Sequence, residues 1–275
     1  MTSPELQPTP AGARPRHRSL AIVFLSGAAI GILGGMIGLG GAEFRLPLLI
    51  GLFGFAALPA VIMNKTMSLV VVITAIPARL IAVPLTELSP YLYIVLNLLA
   101  GSLIGAWLGA HWATKLASKT LYRVIAILLV LVAIMLFVTH FFAIEPLNLP
   151  DALRIVLGVA AGLLIGVVAA LMGVAGGELL IPTIVLLYGT DVKIAGSLSL
   201  LVSLPTMLVA FARYSRDSSF AVLGQNKGFL IAMTLGSITG TILGGLLLGV
   251  IPSIVLIPLL VLLLVLSSIK VWNHK

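Results

Sequence analysis

The chain has 275 residues, of which 60% are hydrophobic and 9% charged, and its mean hydropathy is +1.24. Soluble domains carry about a quarter charged residues, so this composition excludes a soluble protein and indicates an integral membrane protein. The net charge of +8 comes from bases in short loops between apolar segments. We interpret it as a signal of orientation in a lipid bilayer, and we expect no nucleic-acid partner.

Ten apolar segments follow a polar, proline-rich tail at residues 1–19, in which we predict no cleaved signal peptide. The first five segments are 20–40, 44–58, 66–86, 91–114 and 121–142. A connection over 143–151 precedes the other five, which are 152–174, 178–189, 194–212, 228–249 and 252–270. The second segment of each set is short, because a helix needs about 20 residues to cross a bilayer. The sequence predicts an all-α polytopic membrane protein.

The two sets are homologous repeats, which we place at 20–142 and 152–275. GLGGAEFRLP (38–47) recurs as GVAGGELLIP (173–182), TMSL (66–69) resembles SLSL (197–200), and GSLIGAWLG (101–109) recurs as GSITGTILG (236–244). Glycines at a spacing of four within these blocks predict close packing of membrane helices.

The orientation of the repeats depends on whether the short segments cross the membrane. Five crossings per repeat would invert the second repeat, whereas re-entrant short segments would leave four crossings and parallel repeats. With five crossings and a cytoplasmic N-terminus, most of the 16 lysine and arginine residues fall inside, including Lys65, Lys115, Lys119 and Arg123. The positive-inside rule therefore favours an inverted repeat in the plasma (inner) membrane, with residues 143–151 outside.

The GGxE stretches are predicted to interrupt the helices, because glycine lets the backbone turn and approach a ligand. Short helices would begin near Phe44 and Leu179, with Pro47 and Pro182 in their first turns. Such helix N-termini attract anions. The substrate-binding residues predicted at the two breaks are Gly40, Gly41, Ala42, Glu43, Phe44, Gly176, Gly177, Glu178 and Leu179.

Several polar residues near the breaks are further candidates. Glu43 and Glu178 are costly in hydrocarbon and are candidates for proton coupling; alternatively they brace the loops, or Glu43 pairs with Arg45. Ser68 and Ser199 are predicted to donate to the anion. Arg79 and Arg213 end the third segments, where they bind the oxyanion or reach the membrane interface. The residues around Asn64 and Lys65 form the polar start of a segment, which lines a pore or caps the helix.

Enzyme motifs are missing from the chain. It has no dinucleotide fingerprint, P-loop, HExxH motif or serine nucleophile elbow, and no cysteine. We therefore expect no catalytic residues, no cofactor and no metal site.

The paired GGxE-then-proline stretches, together with GSLIGAWLGAHWATKL (101–116), a basic loop and a long apolar helix, resemble the TauE/SafE family of sulfite and organosulfonate permeases. The resemblance extends from about residue 20 to the end. It implies secondary transport, usually outward, of a small sulfur oxyanion. Ala42 and Ala175 stand where members often carry glycine. The alternatives are a passive anion channel and a scaffold or assembly factor whose glycines only pack helices; no oligomeric state is predicted.

Overall fold

The computed structural model describes residues 19–37, 41–142, 145–247 and 253–274. Within these ranges the chain is helical and contains no β-strand. The helices are α1 (Leu20–Ile37), α2 (Ala42–Gly51), α3 (Ala57–Ala82), α4 (Leu85–Leu88), α5 (Leu92–Lys115), α6 (Ser118–Phe141), α7 (Asp151–Met172), α8 (Gly177–Tyr188), α9 (Val192–Tyr214), α10 (Val222–Gln225), α11 (Lys227–Leu246) and α12 (Ser253–Trp272).

The described residues contain seven helices that are long and apolar enough to cross a membrane. The predicted all-α multi-pass fold class is therefore confirmed. By contrast, α2 has 10 residues and α8 has 12. At 1.5 Å per residue these helices are about 15 and 18 Å long, roughly half of a hydrocarbon core.

The two short helices begin two residues earlier than predicted, which moves their prolines. Pro47 and Pro182 lie in the second turn, so the prediction of first-turn prolines is wrong. Proline lacks an N–H, so neither residue can bond the carbonyl four positions before it. The main-chain oxygens of Glu43 and Glu178 therefore lack the usual helical donor.

Helix α3 also begins earlier than predicted, at Ala57 instead of residue 66. The predicted segment 44–58 is wrong at its end, because α2 stops at Gly51 and the chain turns at Gly54, whose φ is +76°. Asn64 and Lys65 consequently lie inside α3, and the alternative that this polar stretch caps the helix is wrong.

The first helix of each repeat packs along the helix of the fourth predicted segment of the other repeat: α1 along α11, and α7 along α5. These are the most extensive contacts between helices. Glycines allow the close approach: a Cβ atom on Gly101 would overlap the carbonyl of Val159, and one on Gly236 would overlap that of Phe24. The predicted packing role of the spaced glycines is confirmed.

Equivalent helices of the two repeats run in opposite directions where they touch. Ser268, near the end of α12, donates to the carbonyl of Ala126, near the start of α6, at 2.9 Å. Arg79, near the end of α3, donates to the carbonyl of Lys193, at the start of α9, at 3.1 Å. Arg123, earlier in α6, lies 5.6 Å from the ring of Trp272, later in α12, so α6 and α12 are antiparallel, and the end of α3 likewise meets the start of α9.

Adjacent glycines of α11 allow a matched test of this packing. A methyl group on Gly244 would overlap the carbonyl of Ile32, whereas at Gly245 no described atom lies within 4 Å. We expect Gly244→Ala to lower the free energy of unfolding by about 1–3 kcal/mol. Gly245→Ala should leave it unchanged or raise it slightly, because alanine favours the helix. Thermal unfolding in detergent measures both, and equal losses would contradict the packing role of Gly244.

Candidate functional site

Both short helices begin after a glycine in the left-handed conformation. Gly41 has φ +71° and Gly176 has φ +87°, and the two residues are equivalent in the repeats. This conformation strongly favours glycine, so the recurring pair produces the same break twice. Gly40 lies outside the described residues.

The two breaks bring Glu43 and Glu178 together. Their carboxyl groups lie close enough to interact with each other. Glu43 is 2% exposed and Glu178 is partly buried. Among the described residues, no donor reaches either carboxylate oxygen of Glu43. Two carboxylates this close repel each other unless a proton or a cation lies between them.

The guanidinium of Arg45 is completely buried and joins three helices. Its Nε donates to Asn64 Oδ1 at 2.8 Å, its Nη2 to Ser68 Oγ at 2.6 Å, and its Nη1 to Ser237 Oγ at 3.3 Å. These bonds attach α2 to α3 and α11. They leave the guanidinium close to the glutamate pair without a direct salt bridge to it.

The local ion pair between Glu43 and Arg45 that the sequence left open is not formed. Within the described ranges, the one salt bridge joins Asp151 and Arg154, at 3.1 Å. The physical reason is that the Arg45 side chain points towards α3 and α11, where polar acceptors already surround it.

Asn64 connects the two repeats at their breaks. Its Nδ2 donates to the carbonyl of Ala42 at 3.0 Å and to that of Met172 at 3.1 Å. One carbonyl begins α2 and the other ends α7, so a single amide group holds both interrupted segments.

Lys65 is also buried at the second break. Its Nζ donates to the carbonyl of Ala169 at 2.9 Å and to that of Val174 at 2.6 Å. The residue is 1% exposed. The prediction that Lys65 is one of the basic residues of the cytoplasmic loops is therefore wrong. Helix α3 begins at Ala57, so Lys65 lies within the helix and is buried in the protein.

Both predicted serines lie at this cluster. Ser68 accepts a hydrogen bond from Arg45. A Cβ atom on Gly177 would be 4.0 Å from Ser199 Oγ, and that hydroxyl donates to the carbonyl of Gly196 at 2.8 Å. Three other predicted residues of the breaks are buried among apolar side chains: Ala42, Phe44 and Leu179.

Arg79 and Arg213 contact other parts of the protein. Arg79 Nε donates to Ser197 Oγ at 3.1 Å. Arg213 Nη2 lies 2.9 Å from His111 Nδ1 and 3.2 Å from Thr114 Oγ1. These partners belong to α9 and α5, and none of them is a residue of the two breaks. Substrate contact by either arginine stays a prediction.

Arg45 and Ser237 belong to the cluster but were not predicted as site residues. For Arg45 a signal existed, because a charge within an apolar run is costly in a membrane and marks function. Ser237 offered none, since serine within a glycine-rich membrane helix is ordinary.

Two equivalent glycine–glutamate breaks that meet at a buried polar cluster are thus the central feature of the fold. The family model described as sulfite exporter TauE/SafE matches residues 23–271. The chain belongs to the TauE/SafE family. No curated protein and no solved structure matches it. Since TauE/SafE proteins are membrane transporters, the family and the apolar helices together make this chain a multi-pass transport protein.

Proposed function

We propose that this TauE/SafE protein is a secondary transporter that exports a small sulfur oxyanion, such as sulfite or an organosulfonate, by alternating access. The observation that carries the proposal is the meeting of the two broken segments, whose N-terminal glutamates adjoin in a buried cluster. Short or broken helices at equivalent positions of two repeats are typical of substrate sites in secondary transporters.

The starts of α2 and α8 supply anion-binding groups. The first N–H groups of a helix have no partner within it, and the helix end carries about half a positive charge. We propose that these amides cradle the oxyanion, with Ser68 and Ser199 as neighbouring hydroxyl donors. The buried base Arg45 would add to the positive potential without leaving its own partners.

The charges of the cluster support coupling to protons. Arg45 and Lys65 are two buried bases, and Glu43 and Glu178 are two acids beside them. An entering oxyanion adds negative charge where the dielectric constant is low, and a proton on a glutamate would compensate it. We propose that the anion and one proton occupy the site together.

The antiparallel packing of α6 with α12, and the meeting of the end of α3 with the start of α9, support an inverted repeat. A symmetry axis in the membrane plane reverses equivalent helices, whereas an axis along the membrane normal keeps them parallel. Glu43, Arg45 and Lys65 are at most 2% exposed, whereas Glu178 is only partly buried. A site that is mostly covered is consistent with one that opens to each side in turn. Lys115, Lys119 and Arg123 still favour a cytoplasmic N-terminus in the inner membrane.

Export of an anion can proceed without ATP hydrolysis, because the membrane potential drives it. Each negative charge that leaves a cell with a negative interior gains about 2.3 kcal/mol per 100 mV. A dianion accompanied by one proton still moves one negative charge outward, so the membrane potential would favour its export.

The proposal is tested with purified protein in liposomes. We expect sulfite or sulfoacetate flux that saturates with concentration, responds to an imposed potential and shows counterflow when labelled anion exchanges with unlabelled. A passive channel would give flux that does not saturate and no counterflow. If no sulfur oxyanion moves under any imposed potential, the proposal fails.

A substitution at Gly177 distinguishes two hypotheses: a substrate site at this break, and a scaffold protein in which the glycines only pack helices. A methyl group on Gly177 would approach Ser199 Oγ at 4.0 Å and no described atom more closely. We expect Gly177→Ala to leave the unfolding temperature unchanged and to weaken transport roughly tenfold, because one backbone contact to the anion is obstructed. Transport equal to that of the wild type would contradict a site at this break.

A further inference from the structure

We propose that the ammonium group of Lys65 is a tethered cation: it fills a cation-binding site at the end of α7 and takes the place of a free coupling cation such as Na⁺. This inference rests on the proposed function for its role in transport, although the site itself can be tested without substrate. It predicts a transporter that needs no metal cation.

The site consists of main-chain oxygens that converge where α7 ends. Gly173 has φ +68°, and this turn brings the carbonyls of Ala169 and Val174 to one side. Lys65 Nζ lies 2.9 and 2.6 Å from these two oxygens. A helix C-terminus carries about half a negative charge, so it stabilises a cation placed against it.

The neighbouring carbonyls of α7 have other donors, and Ala169 O itself also accepts from Val174 N at 3.1 Å, so Lys65 is an additional donor to that oxygen. Ala170 O accepts from Gly173 N at 3.0 Å and from Tyr214 Oη at 2.9 Å. Met172 O accepts from Asn64 at 3.1 Å. The break in the second repeat is therefore capped by side chains from α3 and α9, and the only cation among these donors is Lys65 in the described part of the chain.

Glu178 completes the electrostatic setting. A negative charge on Glu178 would favour the ammonium form of Lys65, although within the described residues no carboxylate lies at salt-bridge distance from the ammonium group. The other charged groups that face this region are Glu43, next to Glu178, and Arg45, which is held by α3 and α11. Carbonyl dipoles, a helix end and a nearby acid are the groups with which broken helices of transporters coordinate Na⁺ or a proton.

The repeats differ at this position, which indicates a specific role for the lysine. When TMSL (66–69) is aligned with SLSL (197–200), Lys65 corresponds to Gly196. Gly196 has no side chain, and a Cβ atom there would overlap Arg79 Nη2. A lysine of the first repeat thus binds at the break of the second repeat. The second repeat has no equivalent lysine that could bind at the break of the first.

The test empties the site and refills it. Lys65→Met keeps an unbranched apolar side chain as far as the Cε position and removes the ammonium group with its charge. We expect the unfolding temperature of purified protein to fall by about 5–10 °C. Ammonium or methylammonium chloride should restore at least half of this loss, whereas tetramethylammonium chloride at equal ionic strength should not, because it cannot donate to the carbonyls.

Two variants act as controls. Lys115→Met removes an exposed lysine at the end of α5 and should change neither the unfolding temperature nor its response to ammonium. If Lys65→Met does not fold, Lys65→Gln keeps one donor group and should show the same response to ammonium at a higher starting temperature.

Three outcomes overturn the proposal: an unchanged unfolding temperature of Lys65→Met, a loss that no small cation reverses in either variant, or Na⁺-dependent flux by the wild type. Because the thermal measurement contains no oxyanion, it separates this inference from the proposed function. Wild-type liposomes that move no sulfur oxyanion, together with ammonium rescue of Lys65→Met, would reject the substrate and keep the cation site.

Discussion

Glu43→Gln should reduce net proton-coupled anion flux about 100-fold while anion-for-anion counterflow continues. Glutamine resembles a glutamate that permanently holds its proton, so the loaded site keeps the charge proposed for it. The empty site, in contrast, would carry one extra positive charge, and moving such a charge into hydrocarbon costs about 2.5–3.5 kcal/mol, or about 100-fold in rate. Flux measured across a range of pH should lose its pH dependence.

The same variant decides between proton coupling and bracing of the loop. Since no described donor reaches the Glu43 carboxylate, glutamine should leave the unfolding temperature unchanged or raise it. A large fall would show that Glu43 braces the break. The matched control is Glu87→Gln on α4, which is exposed and should affect neither flux nor unfolding. Glu178→Gln should resemble Glu43→Gln, and the double variant should be less than additive because the two carboxyl groups interact.

Arg45→Leu should strongly destabilise the protein and abolish transport. Leucine is the residue at the equivalent position of the second repeat, Leu180, so helix α2 itself can accommodate it. The loss comes from the buried groups left behind, since each acceptor that loses its donor costs about 1–3 kcal/mol. Thermal unfolding in detergent and liposome flux measure the two effects.

The controls for Arg45 test the planar geometry of its side chain. Arg45→Lys should recover little stability, because one ammonium group cannot reach Asn64, Ser68 and Ser237 in their three directions. Arg123→Leu removes an exposed arginine that lies over the ring of Trp272, and it should cost far less. Wild-type stability of Arg45→Lys would contradict the importance of the three-way contact.

The breaks of the two repeats could be predicted because their causes are local. Left-handed backbone at Gly41 and Gly176 needs glycine, and a glutamate and a proline follow at the same spacing in both repeats. The packing glycines were predictable for the same reason. A local pattern of residues that occurs in both repeats can be recognised from the sequence alone.

The start of α3 and the contacts of the buried bases could not be predicted from hydropathy, because they depend on how distant parts of the chain pack. The apolar run from 46 to 63 continues through the turn at Gly54, so composition does not mark the start of α3 and misplaces Lys65. Arg45 and Ser237 are 192 residues apart, and their contact exists only because α11 packs beside α1 and reaches the first break. The acids of the cluster were therefore predicted as site residues, whereas Arg45 was considered only as an ion-pair partner of Glu43 and Lys65 only as part of the polar start of a segment.

Both buried bases of the cluster, Arg45 and Lys65, belong to the first repeat, and their counterparts Leu180 and Gly196 carry no charge. In an inverted repeat with identical halves, the inward-facing and outward-facing forms would exchange roles by symmetry and have equal free energies. An unequal distribution of charge removes that equality, so the empty carrier would rest mainly in one orientation. The same anion would then show different half-saturation concentrations at the two faces of the membrane.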